Sequence, residues 1–151
     1  MYRDKKISLV IPAYNEPSVI PTLESIIKCD RPNSNVEVIV VINEPEKASE
    51  DIVSRNRKCY DEAHTWIDYN NSARLNFHLI LAEDLPPKDH GVGLARKIGM
   101  DEALRRFNVI ANVGKGIIIC FDADSICDSN YLLSIEEHFR TNENCPAVSI
   151  Y

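Results

Sequence analysis

The chain has 151 residues, 44% of them apolar, and carries 23 Asp plus Glu against 17 Lys plus Arg, a formal charge of −6. That size and apolar share fit one domain with a buried core, and 5 Gly and 8 Pro are too few for a disordered chain. No window approaches the roughly 20 apolar residues of a membrane span, and the acidic balance disfavours non-specific nucleic-acid binding, which needs many Lys and Arg against phosphate.

The charged start, Met1 to Lys6, leads into the short run Ile7–Ile11, too brief for a signal-peptide core, so the chain reads as cytoplasmic. Ile7–Ile11 predicts a first buried strand stopped at Pro12, and Ser18–Cys29 a helix with Val19, Leu23, Ile26 and Ile27 on one stripe. The β-branched run Val36–Ile42 predicts a second strand. After Asn43-Glu44-Pro45, the stretch to about Tyr69 keeps Ile52, Cys59, Ala63, Trp66 and Ile67 on one face and predicts a long helix. Leu75–Leu81 is a third predicted strand and Ala82–His90, with Pro86-Pro87, a loop. Gly91–Phe107 places Ala95, Gly99, Ala103 and Phe107 at four-residue spacing, a third helix.

Gly114-Lys115-Gly116 turns the chain into a fourth predicted strand, Ile117–Phe121. Asp128-Ser129-Asn130 can cap a helix over Tyr131–Arg140 with Leu132, Ile135 and Phe139 buried, and Ala147–Tyr151 begins a fifth strand. Strands alternating with helices predict a three-layer α/β/α domain with a mostly parallel sheet, its strands apolar on both faces. The chain stops inside that last strand, which reads as a truncation of something longer.

Ligands of open α/β sheets bind beyond the carboxyl ends of the strands. There the chain carries Pro12-Ala13-Tyr14-Asn15-Glu16, Asn43-Glu44, Glu83-Asp84 and Asp122-Ala123-Asp124. Asp122 and Asp124, two apart in an extended segment, would converge on one side, where a pair of carboxylates invites Mg²⁺ or Mn²⁺. The alternative is that Asp124 or Asp128 merely caps the next helix. Arg96 falls inside the apolar stripe of the third helix on a projection of about 100° per residue. In the first turn it must meet an anion, either a phosphate or a salt-bridge partner among Asp122, Asp124 and Glu16.

Other motifs fail. Gly91-Val92-Gly93-Leu94-Ala95-Arg96 lacks the third glycine of a dinucleotide fingerprint, Gly114-Lys115-Gly116 is no P-loop, and neither a GxSxG elbow nor a Cys-His pair is present. The first strand also lacks the acidic cluster of a phosphate-accepting receiver domain. The five cysteines form no CxxC and predict reduced, mostly buried thiols; the four histidines show no ligand spacing.

Taken in order, Ile7-Ser8-Leu9-Val10-Ile11-Pro12-Ala13-Tyr14-Asn15-Glu16, Gly91-Val92-Gly93-Leu94-Ala95-Arg96-Lys97 and Ile118-Ile119-Cys120-Phe121-Asp122-Ala123-Asp124-Ser125 closely resemble glycosyltransferase family 2, the inverting enzymes of GT-A fold. The resemblance covers the family's N-terminal, nucleotide-sugar-binding half, so residues 1–151 are expected to form a single donor-binding domain without the acceptor half. It implies that Pro12, Ala13, Tyr14 and Glu16 line the nucleoside pocket, with Tyr14 flanking the base, and that Arg96 lies near the diphosphate. Asp122 and Ala123 would approach the ribose, and Asp124, with Asp122, would bind the Mn²⁺ or Mg²⁺ that bridges the diphosphate. Many members place an acidic residue against uracil after the second strand, where this chain has Asn43 and Glu44, which leaves the nucleotide open.

The implied function is metal-dependent, inverting transfer of a sugar from a nucleotide diphosphate to an unknown sugar, lipid or protein acceptor, with the general base beyond Tyr151. The alternative is a non-catalytic nucleotide-binding or protein-interaction module. A sugar-phosphate nucleotidyltransferase shares much of the fold but expects a glycine-rich phosphate loop after the first strand, which Ala13-Tyr14-Asn15-Glu16 is not.

Overall fold

The computed structural model describes residues 6–86, 88, 91–109, 116–142 and 145. The expected fifth strand at 147–151 and the Gly114-Lys115 turn lie outside the described residues. Four strands, β1 (Lys6–Ala13), β2 (Asn35–Pro45), β3 (Leu75–Leu85) and β4 (Ile117–Cys120), alternate with helices α1 (Ile20–Ile27), α2 (Glu50–Asn70), α3 (Val92–Val109) and α4 (Tyr131–Thr141). The strands form one parallel sheet in the order β3-β2-β1-β4, so all their carboxyl ends share one edge.

Strand alternation divides the apolar runs between two faces. Ile7, Leu9, Ile11 and Ala13 of β1 join Val36, Val38, Val40 and Ile42 of β2 in the larger core, with Leu23 and Ile26 of α1, Cys59, Ala63 and Ile67 of α2, and Leu132 and Ile135 of α4. On the opposite face Ile39 and Val41 pack with Ala95 and Ala103 of α3. The expected stripe on α3, Ala95, Gly99, Ala103 and Phe107, is its buried face. A methyl group on Gly99 would come within 2.3 Å of Val10 Cγ1, so glycine sets how closely α3 approaches β1.

Several local expectations need correction. β1 runs through Pro12 to Ala13 and stays paired with β2 to Ala13↔Ile42. The reason is directional: Phe121 N–H donates to Val10 C=O at 2.9 Å, so residues of that parity point toward β4. The β4 ladder ends at Val10↔Cys120. Pro12, which has no N–H to give, therefore points where, among the described residues, no partner strand continues.

β3 extends four residues into the expected loop, pairing on past an irregularity in β2 between Asn43 and Pro45. Its end is exposed, with Asp84 in the left-handed region at φ 56°. α1 begins at Ile20 rather than Ser18; Ser18 Oγ instead accepts from Ile20 N–H at 3.2 Å. α4 has Asn130 at its cap position but no side-chain cap, and Tyr131 N–H is taken by the Asp128 main-chain carbonyl at 3.1 Å. Of the cysteines only Cys29 and Cys59 are buried. Phe139 is only partly buried.

Candidate nucleotide-binding cleft

A cavity of about 290 Å³ opens at the carboxyl edge of the sheet, lined by Pro12, Tyr14, Glu16, Asn43, Val92, Asp122, Ala123 and Asp124. It sits where β4 stops and the chain after it bends away. Pro12 forms part of its wall from the end of β1, and Tyr14 stands at its rim, 37% exposed. Ala13, the next side chain along, points to the opposite face and is 1% exposed in the larger core. Of the sequence-derived candidates, Ala13 and Arg96 are thus the two that do not line the cavity.

The two aspartates reach the cleft by another geometry than the one expected. β4 ends at Cys120, and Asp122–Ser125 is a turn in which Ser125 N–H donates to Asp122 C=O at 3.1 Å. Ala123 is buried between the two exposed carboxylates and accepts a 2.6 Å hydrogen bond from Thr22 Oγ1 of α1. The turn, and not strand periodicity, brings both carboxylates to one cavity.

Arg96 lies at the border of the α3 stripe, its side chain 38% exposed, and its Nη2 donates to Asp122 Oδ1 at 2.7 Å. Of the carboxylates expected as salt-bridge partners for this residue, Asp122 is the one it meets. Its Nε is buried and has no hydrogen-bond partner among the described residues, so the guanidinium retains donor capacity. Glu16 carries the opposite signal: partial burial and then the charge of Asp124 push its carboxyl above the usual range. Negative charge thus accumulates on the Glu16–Asp124 side, while the Arg96 guanidinium serves Asp122.

Asn56 is a residue that sequence patterning missed. It lies on the buried stripe of α2, 1% exposed. Asn15 N–H donates to its Oδ1 at 3.0 Å, and its Nδ2 donates to Asn43 C=O and to Glu44 Oε2, each at 3.2 Å. One amide therefore ties the exit of β1, where Asn15 takes φ 54°, to the end of β2. A polar residue repeating in phase with Cys59, Ala63 and Ile67 was the available signal. Val92, the first residue of α3, was also missed as a lining residue.

The carboxylates offer hard oxygen donors of the kind that suit Mg²⁺ or Mn²⁺. Among the described residues no three His, Cys, Asp or Glu side chains gather into a metal cage. The donor set fits an ion bound through one or two carboxylates with the rest of its shell left to phosphate oxygens and water.

Among the described residues no helix is long and apolar enough to cross a membrane. The sequence profile described as glycosyl transferase family 2 matches residues 8–151. Solved structures of similar fold include Staphylococcus aureus TarS 1-349 in complex with UDP-GlcNAc, at 19% identity and a TM-score of 0.57 over 96% of this chain and 37% of that one. The same TarS fragment in complex with UDP superposes at a TM-score of 0.55 with 18% identity, over 96% of this chain and 38% of that one. This chain thus spans well under half the length of either structure. A search of curated proteins gives no match. The fold is that of the GT-A glycosyltransferases, and with the profile covering nearly its whole length the chain belongs to glycosyl transferase family 2.

Proposed function

We propose that this chain is the donor-binding half of a glycosyltransferase, holding a nucleotide-diphospho-sugar in the cleft at the carboxyl edge of the sheet for metal-dependent, inverting transfer to an acceptor. The observation that carries the reading is the convergence of Tyr14, Glu16, Asn43, Asp122 and Asp124 on one cavity, with Arg96 on Asp122. Four separate stretches of sequence supply them, at the edge where open parallel sheets bind ligands. The UDP-GlcNAc held by TarS supports the same class of donor here.

In this reading Tyr14 flanks the base and Asn43, buried at the end of β2, reads its edge. Arg96 shares its donors between Asp122 and the diphosphate, and the N-terminus of α3, whose Val92 lines the cavity, adds a favourable dipole. A divalent cation held by Asp124, together with Asp122, would supply positive charge against the departing nucleotide diphosphate. Transfer itself needs a base for the acceptor hydroxyl, and none of the cleft carboxylates is assigned that role.

Calorimetric titration with UDP, GDP and CDP, each with and without Mn²⁺, tests the reading. Binding of at least one nucleotide that Mn²⁺ strengthens, with the strengthening lost in Asp124→Ala, is expected. Failure of a demonstrably folded chain to bind any of the three would overturn it.

A further inference from the structure

On the far side of the Asp122–Asp124 turn, the segment 125–130 lies along α1. Cys127 N–H donates to Ser25 Oγ at 3.3 Å and Asp30 N–H to Ser129 C=O at 2.8 Å. Together with the bond from Thr22 Oγ1 to Ala123 C=O, these fasten the turn and the segment after it to α1 and the residues just beyond its end. At the centre of this seam Cys29 Sγ and Cys127 Sγ are 3.5 Å apart, and Ser25 Oγ is 3.4 Å from Cys127 Sγ. Two thiols in van der Waals contact, 98 residues apart in sequence, need little movement to reach the bond length of about 2.05 Å.

The pair is also reachable from one side. A second cavity, of about 340 Å³, is lined by Pro21, Glu24, Ser25, Lys28, Ile126, Cys127 and Ser129. Cys127 faces it half-buried, whereas Cys29 is buried beneath. We infer that Cys29 and Cys127 form a redox site that exchanges with small disulfides of the glutathione type, and that the resulting cross-link pins the segment just after the aspartate-bearing turn to the chain just beyond α1.

The order of steps follows from access. The Cys127 thiolate attacks one sulfur of the small disulfide, forming a mixed disulfide and releasing one thiolate, which takes up the proton that Cys127 lost. Cys29 then attacks Cys127 Sγ, the second small thiol leaves with the Cys29 proton, and the Cys29–Cys127 disulfide remains. Two protein thiols are oxidised and one small disulfide is reduced to two thiols. Burial and then the neighbouring Cys127 push the Cys29 thiol up to about 12, which suits it to the second, resolving step and not to the first. The inference goes beyond the donor-site reading and does not depend on it.

Peptide mass spectrometry of the whole chain after treatment with oxidised glutathione tests the site. The expected product joins the Cys29 and Cys127 peptides with loss of two hydrogens. Cys29→Ser should stop at a glutathionyl adduct on Cys127, and Cys127→Ser should leave Cys29 unmodified. Hydrogen exchange over residues 122–130 should be slower in the oxidised chain than in the reduced one. A stable adduct on Cys127 without the cross-link in the unsubstituted chain, or cross-links through Cys120 or Cys145 in its place, would overturn the proposal. So would equal exchange in the two forms. None of these readouts involves a nucleotide, so a failed nucleotide titration and a failed cross-link are separate results.

Discussion

Asn56 uses both ends of its amide on groups from two strand ends, accepting from the main-chain N–H of Asn15 and donating to the C=O of Asn43. Asn56→Ala would remove the acceptor of the Asn15 N–H and the side-chain tie to the end of β2 at a buried position, a loss of about 1–3 kcal/mol of stability, read from urea unfolding. Nucleotide affinity should fall as well, because the residues that frame the cleft at β1 and β2 lose their common tie. Glu136 plays a similar part elsewhere: its carboxylate accepts from Asn33 N–H at 2.9 Å, Ser34 N–H at 2.7 Å and Ser34 Oγ at 2.6 Å, docking α4 on the turn before β2. Burial opposes its charge, but the hydrogen bonds from Ser34 and Asn33 outweigh burial and hold the carboxyl below the usual range. A carboxyl depressed in the folded state stabilises above its unfolded pKa and loses that contribution as pH falls through the folded value. Glu136→Gln should therefore be less stable at neutral pH, with the two unfolding curves converging as the pH is lowered below about 4.5.

At the scale of elements, α3 shows how a sequence stripe becomes a position. Ala95, Gly99 and Ala103 are small at the spacing of one helical turn, so the helix lies close on β1 and β2, with Gly99 against Val10 and Val41. Gly99→Ala gains helix propensity but forces a methyl into the branched Val10 side chain, and a net loss of about 1–3 kcal/mol is expected in denaturant unfolding.

That stripe was legible because burial on a helix repeats at a fixed period, as were the four strands as unbroken apolar runs. The ends of elements were less so. Whether Pro12 stops a strand depends on which neighbour its nitrogen faces, and β3 runs past Leu81 because β2 continues beside it; both are facts of pairing that no local window contains. The candidate site was legible as four separate stretches, but the route by which Asp122 and Asp124 meet was not. A turn held by Thr22, 101 residues away, replaces the extended segment that their spacing suggested. Asn56 was hidden because a polar residue on a buried stripe looks like a defect until its partners are known.

The whole molecule is acidic, and in the cleft Glu16, Asp122 and Asp124 face, among the described residues, a single guanidinium, that of Arg96. An anionic diphosphate approaching without a metal therefore meets net repulsion, locally and at long range. Raising ionic strength from about 0.01 to 0.1 M shortens the Debye length from about 30 to about 10 Å. Metal-free UDP affinity should accordingly rise with salt, the reverse of the trend for a basic phosphate site; titrations across that range check it.

Pro12 carries this logic into the backbone. An exposed strand edge is a template on which another chain can anneal, and acidic surfaces alone do not prevent it. Where β4 parts from β1, the position that would have to donate to an incoming strand is an imide with nothing to donate. At the mouth of the cleft the backbone of β1 thus withholds the one donor that an added strand would pair with at this position.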